Sequence, residues 1–222
     1  MSAQPAAAAG RGGRPKSTEK RAAIVQAAST LFLEQGLQGT SMERVARAAG
    51  VSKQTLYSHF AGKEDLFQHC IRAKVESYGF DGATVPPGED ARAVLRTLVQ
   101  RFMDLILDPE VVATHRLVIA EACAHPGIAA RFFDSGPAAI QHTVATALEE
   151  LVRRGLLRRH DTRAAAWQLL NLCFGSFQLR LLLNLIDGVP EAELAAHLAS
   201  AVDDFVRLHG AQPPADAVSS RS

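Results

Sequence analysis

The stretch GVSKQTLYSHFAGK, Gly50–Lys63, is polar in an otherwise apolar chain, with Val51, Leu56, Phe60 and Ala61 as its apolar residues. Ser52 is placed to cap a helix that begins at Lys53 and runs to about Phe60. At 100° per residue Val51 and Leu56 fall on one side of that helix. Lys53, Gln54, Tyr57 and Ser58 fall on the other, with Phe60 at the edge. One side is a core anchor and the other is all hydrogen-bonding groups. Gly50, ahead of the cap, suits a left-handed turn joining this helix steeply to the one before it.

Working outward, the apolar positions Ile24, Ala27, Ala28, Leu31 and Phe32 follow helical spacing from Ser17 to Gln35, and Gly36 supplies a stop. A second helix starts at Thr40, where Thr40 and Glu43 form a capping box and Met42, Val45, Ala46 and Ala49 make one stripe. A fourth starts near Gly62 and buries Leu66, Phe67, Cys70, Ile71 and Val75. Helix, glycine turn and polar-faced helix in this order read as a helix-turn-helix, whose outer face suits base edges and phosphates in a DNA major groove. Thr40 and Lys63 stand at helix starts, where free N–H groups favour phosphate. For His59 two readings stand: a satisfied structural histidine, which the wheel favours, and a phosphate donor.

The charge distribution agrees. The 222-residue chain has a net charge of +1, but residues 1–76 carry 11 Lys+Arg against 6 Asp+Glu and the remainder 13 against 17. A head of +5 on a body of −4 calls for an anionic partner for the head. Cys70, Cys123 and Cys173 are widely spaced and read as buried apolar side chains in a reducing cytoplasm. MSAQPAAAAG lacks the features of an export signal. The apolar run 164–186 contains Gln168, Asn171, Gln178, Arg180 and Asn184, so it is expected to be a buried helix and not a membrane span. Residues 1–16 are expected to form a flexible arm, with Arg11 and Arg14 either entering a minor groove or serving as a solubilising tail.

The stretch TSMERVARAAGVSKQTLYSHFAGKEDLF resembles the signature of the TetR/AcrR family of bacterial transcriptional regulators, over roughly Ser17 to Val75. RLVIAEACAHPGIAARFFDSGP more loosely resembles the AefR-like branch of that family. The resemblance implies an all-α homodimer: a three-helix head on operator DNA, and a larger helical domain that binds a small effector and dimerises. By that likeness Lys53 and Gln54 face bases, while Thr40, Thr55, Tyr57, His59 and Lys63 hold phosphates; Ser52 belongs to the same DNA-binding set. The family likeness favours the phosphate reading of His59.

The expected organisation is an arm over 1–16, a DNA-binding domain over 17–62, a connecting helix over 63–80, an effector-binding and dimerisation domain over 81–210 and a disordered tail over 211–222. The body reads as helices near 90–107, 110–123, 137–153, 162–186 and 190–208, separated by Gly and Pro punctuation. None carries a catalytic motif, and no cofactor is implied. Glu121 and His125 lie i, i+4 but lack a third ligand; His115 and His142 read as polar tips on core or pocket walls. Leu194, Leu198, Ala201, Val202 and Phe205 form a heptad-like seam, read as a dimer interface in a four-helix bundle or as an ordinary intrachain core. Trp167, Asn171, Phe174 and Gln178 recur at i, i+4, i+7 and i+11, a stripe suited to a mostly apolar ligand or to plain core packing. A ligand-responsive repressor on a pseudo-palindromic operator is expected; an activator or dual regulator has the same head, and an enzyme or a helical adaptor would lack DNA binding.

Overall fold

A computed structural model describes residues 14–82 and 85–211, with the side chains of 14–17 left aside. Among the described residues there are eleven helices and no strand. The chain forms two compact units that part between Cys70 and Ile71, inside one continuous helix.

The first unit holds α1 (Arg14–Gly39), α2 (Met42–Ala48), α3 (Lys53–His59) and the first half of α4 (Lys63–Ser77). Its core is Ile24, Ala28 and Phe32 of α1, Val45 and Ala46 of α2, Leu56 of α3, and Leu66 and Phe67 of α4, all buried. Phe32 and Phe67 meet edge to face at 5.6 Å. Each buried Leu or Phe contributes about 1.5–3 kcal/mol, which is what holds the two seven-residue helices that could not persist alone. Helical backbone already runs from Arg14, within the stretch expected to be an arm; Arg11 and the Arg14 side chain lie outside the described residues. At Gly36 the backbone leaves helical values, with φ +72°, where a stop is expected.

The second unit holds the rest of α4 and α5 (Ala91–Leu107), α6 (Pro109–Glu121), α7 (Pro126–Ser135), α8 (Pro137–Arg153), α9 (Thr162–Phe174), α10 (Phe177–Leu182) and α11 (Glu191–His209). Aspartates start three of them: Asp90 accepts from Ala93 N–H, Asp108 from Glu110 and Val111 N–H, and Asp161 from Arg163 and Ala164 N–H. The core is built from Leu95, Val99, Phe102 and Met103 of α5, Val144, Leu148 and Leu151 of α8, Leu169 and Leu170 of α9, and Val202 and Phe205 of α11. Arg154 fixes the segment ahead of α5, donating to the carbonyls of Val85 and Pro86 while paired with Glu150. Hydrogen bonds from Arg153 and Arg154 hold the Glu150 carboxyl down to about 2.

Asp108 ties α6 to α4. Its Oδ1 caps α6; its Oδ2 accepts from the Tyr78 hydroxyl at 2.7 Å and lies 2.9 Å from Lys74 Nζ, which also reaches Glu110 at 2.8 Å. Burial pushes Asp108 upward, but the hydrogen bonds from Tyr78 and Lys74 outweigh it and hold the carboxyl below its ordinary value. Burial, then the bond to Asp108, pushes the Tyr78 phenol up to about 12.

Three expectations for the body are corrected. The helix expected over 162–186 breaks at Gly175, whose φ is +48°, into α9 and α10. His197 of α11 donates there to the carbonyls of Leu172 and Cys173, satisfying the end of α9. A short helix, α7, fills the interval between Pro126-Gly127 and Gly136-Pro137, because Pro126 stands at a first helical position. Finally, the seam of α11 turns inward: Leu198, Ala201, Val202 and Phe205 are buried in the core of their own chain, and Leu194 packs against its edge. Leu198, Ala201, Val202 and Phe205 thus pack within their own chain, while Leu194 stays half-buried.

Candidate nucleic-acid interface

The reading helix α3 is set by its two ends. At its start the Ser52 hydroxyl accepts from Thr55 N–H at 3.1 Å and shares a bond with Thr55 Oγ1 at 2.9 Å. Before it, Gly50 closes α2 at φ +66°: Gly50 N–H donates to Arg47 O and Val51 N–H to Ala46 O, the paired bonds of a left-handed helix stop. A Cβ at Gly50 would meet nothing within 4 Å, so the demand there is on backbone conformation alone. At the far end Phe60 is buried, with the Arg21 guanidinium 5.4 Å from its ring centroid and the His69 ring edge-on at 5.1 Å.

Between these ends Leu56 is fully buried, while Ser52, Lys53, Gln54, Tyr57 and Ser58 are exposed, Tyr57 by half. Thr55 and His59 are half-buried at the margins, and the similarly half-buried Lys63 opens α4. The helix therefore presents one polar face over one apolar anchor. Lys53 reaches back to α2, its Nζ 2.7 Å from Glu43 Oε1, and that hydrogen bond holds the Glu43 carboxyl below its ordinary value.

Thr40 leaves the expected set of contacts. It is buried, and its hydroxyl is engaged with the carbonyls of Leu31 and Gly36 at 3.1 and 2.9 Å, which belong to the end of α1. The cap of α2 is the next residue, Ser41, accepting from Arg44 N–H, so the expected Thr40–Glu43 capping box does not form. Glu43 serves Lys53 instead. That pairing is absent from the sequence reading, because residues on two helices meet only once the turn angle is known.

In the body the aromatic stripe is divided. Trp167 and Phe174 are half-buried: Trp167 stacks on Phe133 of α7 at 6.1 Å, and Phe174 meets Phe102 of α5 edge-on at 5.3 Å. Asn171 is exposed, and Gln178 lies beyond the Gly175 break on α10. His115, bonded through Nδ1 to Val111 O and edge-on to Phe132, is held below its ordinary value by burial.

A capped, glycine-jointed helix pair with an exposed polar second helix, followed by a separate helical body, defines a helix-turn-helix transcriptional regulator. Residues 24–70 match the bacterial regulatory proteins of the tetR family, and residues 93–211 match the C-terminal domain of AefR-like transcriptional repressors. The chain belongs to the TetR family of DNA-binding transcriptional regulators. It is 34% identical over 105 residues to the transcriptional activator FasR of Mycolicibacterium smegmatis, covering 46% of this chain and 48% of that one. It is 35% identical over 88 residues to the transcriptional repressor KstR2 of Rhodococcus jostii, covering 39% and 43%. The chain spans about half the length of the curated relatives it matches. Among solved structures it is similar to the flavonoid-responsive regulator FrrA, with 32% identity, a TM-score of 0.72, and 88% and 100% of the two chains covered. A TetR-family regulator from Mesorhizobium loti gives 27%, 0.69, and 89% and 100%. Among the described residues no helix is long and apolar enough to cross a membrane.

Proposed function

We propose that the protein is a ligand-responsive repressor that binds a pseudo-palindromic operator as a homodimer. Lys53 and Gln54 contact base edges in the major groove, and Ser52, Thr55, Tyr57, His59 and Lys63 hold the phosphates. The observation that carries this is the exposed polar face of α3 above a fully buried Leu56. Arg11 and Arg14 extend the same reading toward the minor groove. Repression is favoured by the AefR-like repressor match over residues 93–211; the similarity to FasR keeps activation with the same head as a second reading.

For the dimer, support comes from the outward sides of α9 and α11, where Ala164, Gln168 and Asn171, and Ala195, Ala196 and Ala199, are exposed. Small side chains let helices approach closely, and a two-fold pair would space two reading helices about one DNA turn or a multiple apart. For the effector, support comes from the ring pairs Trp167–Phe133 and Phe174–Phe102 and from the similarity to FrrA, a regulator that responds to flavonoids. A mostly apolar, ring-bearing molecule that favours the dimer with misaligned heads lowers operator affinity by its differential binding, typically about 1–3 kcal/mol.

The test is a gel shift on the DNA upstream of the protein's own coding region, with wild type, Lys53→Ala and Tyr57→Ala. Both variants are expected to lose the shift. Retention by both at wild-type concentration would remove α3 as the reading face.

A further inference from the structure

Two imidazoles lie one over the other at the end of α11. His160, in the connection from α8 to α9, and His209, the last residue of α11, have ring centroids 4.3 Å apart with a 40° tilt. Phe205 of α11 lies 4.6 Å from the His209 ring. The hydrogen bonds assign the protons. His160 Nδ1 is 2.6 Å from Arg158 O, and since a carbonyl only accepts, that nitrogen donates. His209 Nε2 is 2.9 Å from Gln168 Oε1 and donates likewise. Each neutral ring is left with one bare nitrogen, His160 Nε2 and His209 Nδ1, and both are buried with no hydrogen-bond partner among the described residues.

The stack sits inside the contact that fastens the end of α11. Leu157 and Gly210 form an antiparallel bridge, Arg158 N–H donates to His209 O at 2.9 Å, and Arg158 Nε donates to Leu208 O at 2.8 Å. The carbonyls of Leu208 and His209, the last of the helix, thus each accept from Arg158. A cation, the Arg158 guanidinium on the connection, acts on the His209 ring. From α9 the neighbour is the uncharged Gln168, and from α11 it is Phe205. Asp161, next in sequence to His160, has its Oδ1 on the Arg163 and Ala164 N–H groups at the start of α9.

We propose that the His160–His209 stack is an acid-released clasp: uptake of a proton by His209 frees the last turn of α11 from the 157–160 segment. In the closed clasp the new charge would be buried beside a second imidazole and the Arg158 guanidinium; in the open one it is hydrated. The sign follows from the direction of the titration. Burial first, then His160 and Arg158, hold His209 below the ordinary histidine value of 6.5. The clasp is therefore complete above that value and weakens as pH falls through and beneath it.

The experiment uses the full-length protein. The two histidine rings are titrated by NMR between about pH 7.5 and pH 5.5, the range in which histidines change charge, and exchange of the Arg158 amide, which donates to His209 O, is followed over the same range. After correction for intrinsic exchange, opening at Arg158 is expected to rise on the order of tenfold toward the acid end, with the Leu148 amide in the core unchanged. His209→Phe keeps a ring against Phe205 and removes the proton site, and is expected to make Arg158 exchange independent of pH. His209→Gln, which also lacks the proton site, serves the same purpose should the phenylalanine disturb folding. Titration of His209 at or above the ordinary value, or unchanged Arg158 protection in the wild type, would overturn the clasp.

Discussion

Lys53 and Glu43 form an ion pair at 2.7 Å that joins the reading helix to the helix before it. Both side chains are largely exposed, so the pair adds little to folding stability. Its weight falls on DNA binding, where the carboxylate competes with the duplex for the lysine. Glu43→Gln is expected to tighten binding to operator more than to unrelated DNA, because Lys53 is freed for its base edge, and to steepen the salt dependence by removing a negative charge beside the duplex. Fluorescence anisotropy at several salt concentrations reads both quantities. Weaker binding would mean that Glu43 positions Lys53 and does not restrain it.

Base and phosphate contacts separate by their sequence dependence. Gln54→Ala is expected to cost about 1–3 kcal/mol on the operator and to relax the preference at one base pair in each half-site. Tyr57→Phe, which removes only the hydroxyl, should weaken all sequences about equally. A panel of single-base operator variants, titrated with both proteins, distinguishes the two patterns.

Gly50 is required for its backbone and not for its small size, since a Cβ there meets nothing within 4 Å while φ is +66°. Gly50→Ala is expected to lower unfolding free energy by about 1–2 kcal/mol, the cost of a left-handed alanine. Gly62, equally open but without a positive φ, is the control: Gly62→Ala should leave the thermal midpoint nearly unchanged. Equal effects at the two positions would contradict the turn geometry.

Thr40 is a structural residue in this fold. Thr40→Val fills the same volume but leaves the Leu31 and Gly36 carbonyls without their hydroxyl donor, at an expected cost of about 1–3 kcal/mol in stability. The salt slope of DNA binding should not move. A slope shallower by one phosphate would return Thr40 to the backbone contacts.

Where the sequence was legible, a local signal and the tertiary demand agreed. Ser52, Leu56 and the outward set Lys53, Gln54, Tyr57 and Ser58 follow from a cap and a helical wheel, and they lie where those rules put them. Thr40 and Ser41 are both competent caps; the carbonyls ending α1 took the threonine, and no local rule ranks that need. The break at Gly175 was hidden because one glycine in an apolar run is tolerated until a distant donor, here His197, rewards the exposed carbonyls. The α11 seam carries the same spacing whether its own chain or another covers it, so periodicity could not choose between the two.

Asp108 spends both carboxylate oxygens, one on the first turn of α6 and the other on Tyr78 and Lys74 at the close of α4. Neither helix end can slide without breaking these bonds or dragging its neighbour along. A shift of α6 by a single ångström is therefore handed on to Tyr78, and the two helix ends behave as one yoke.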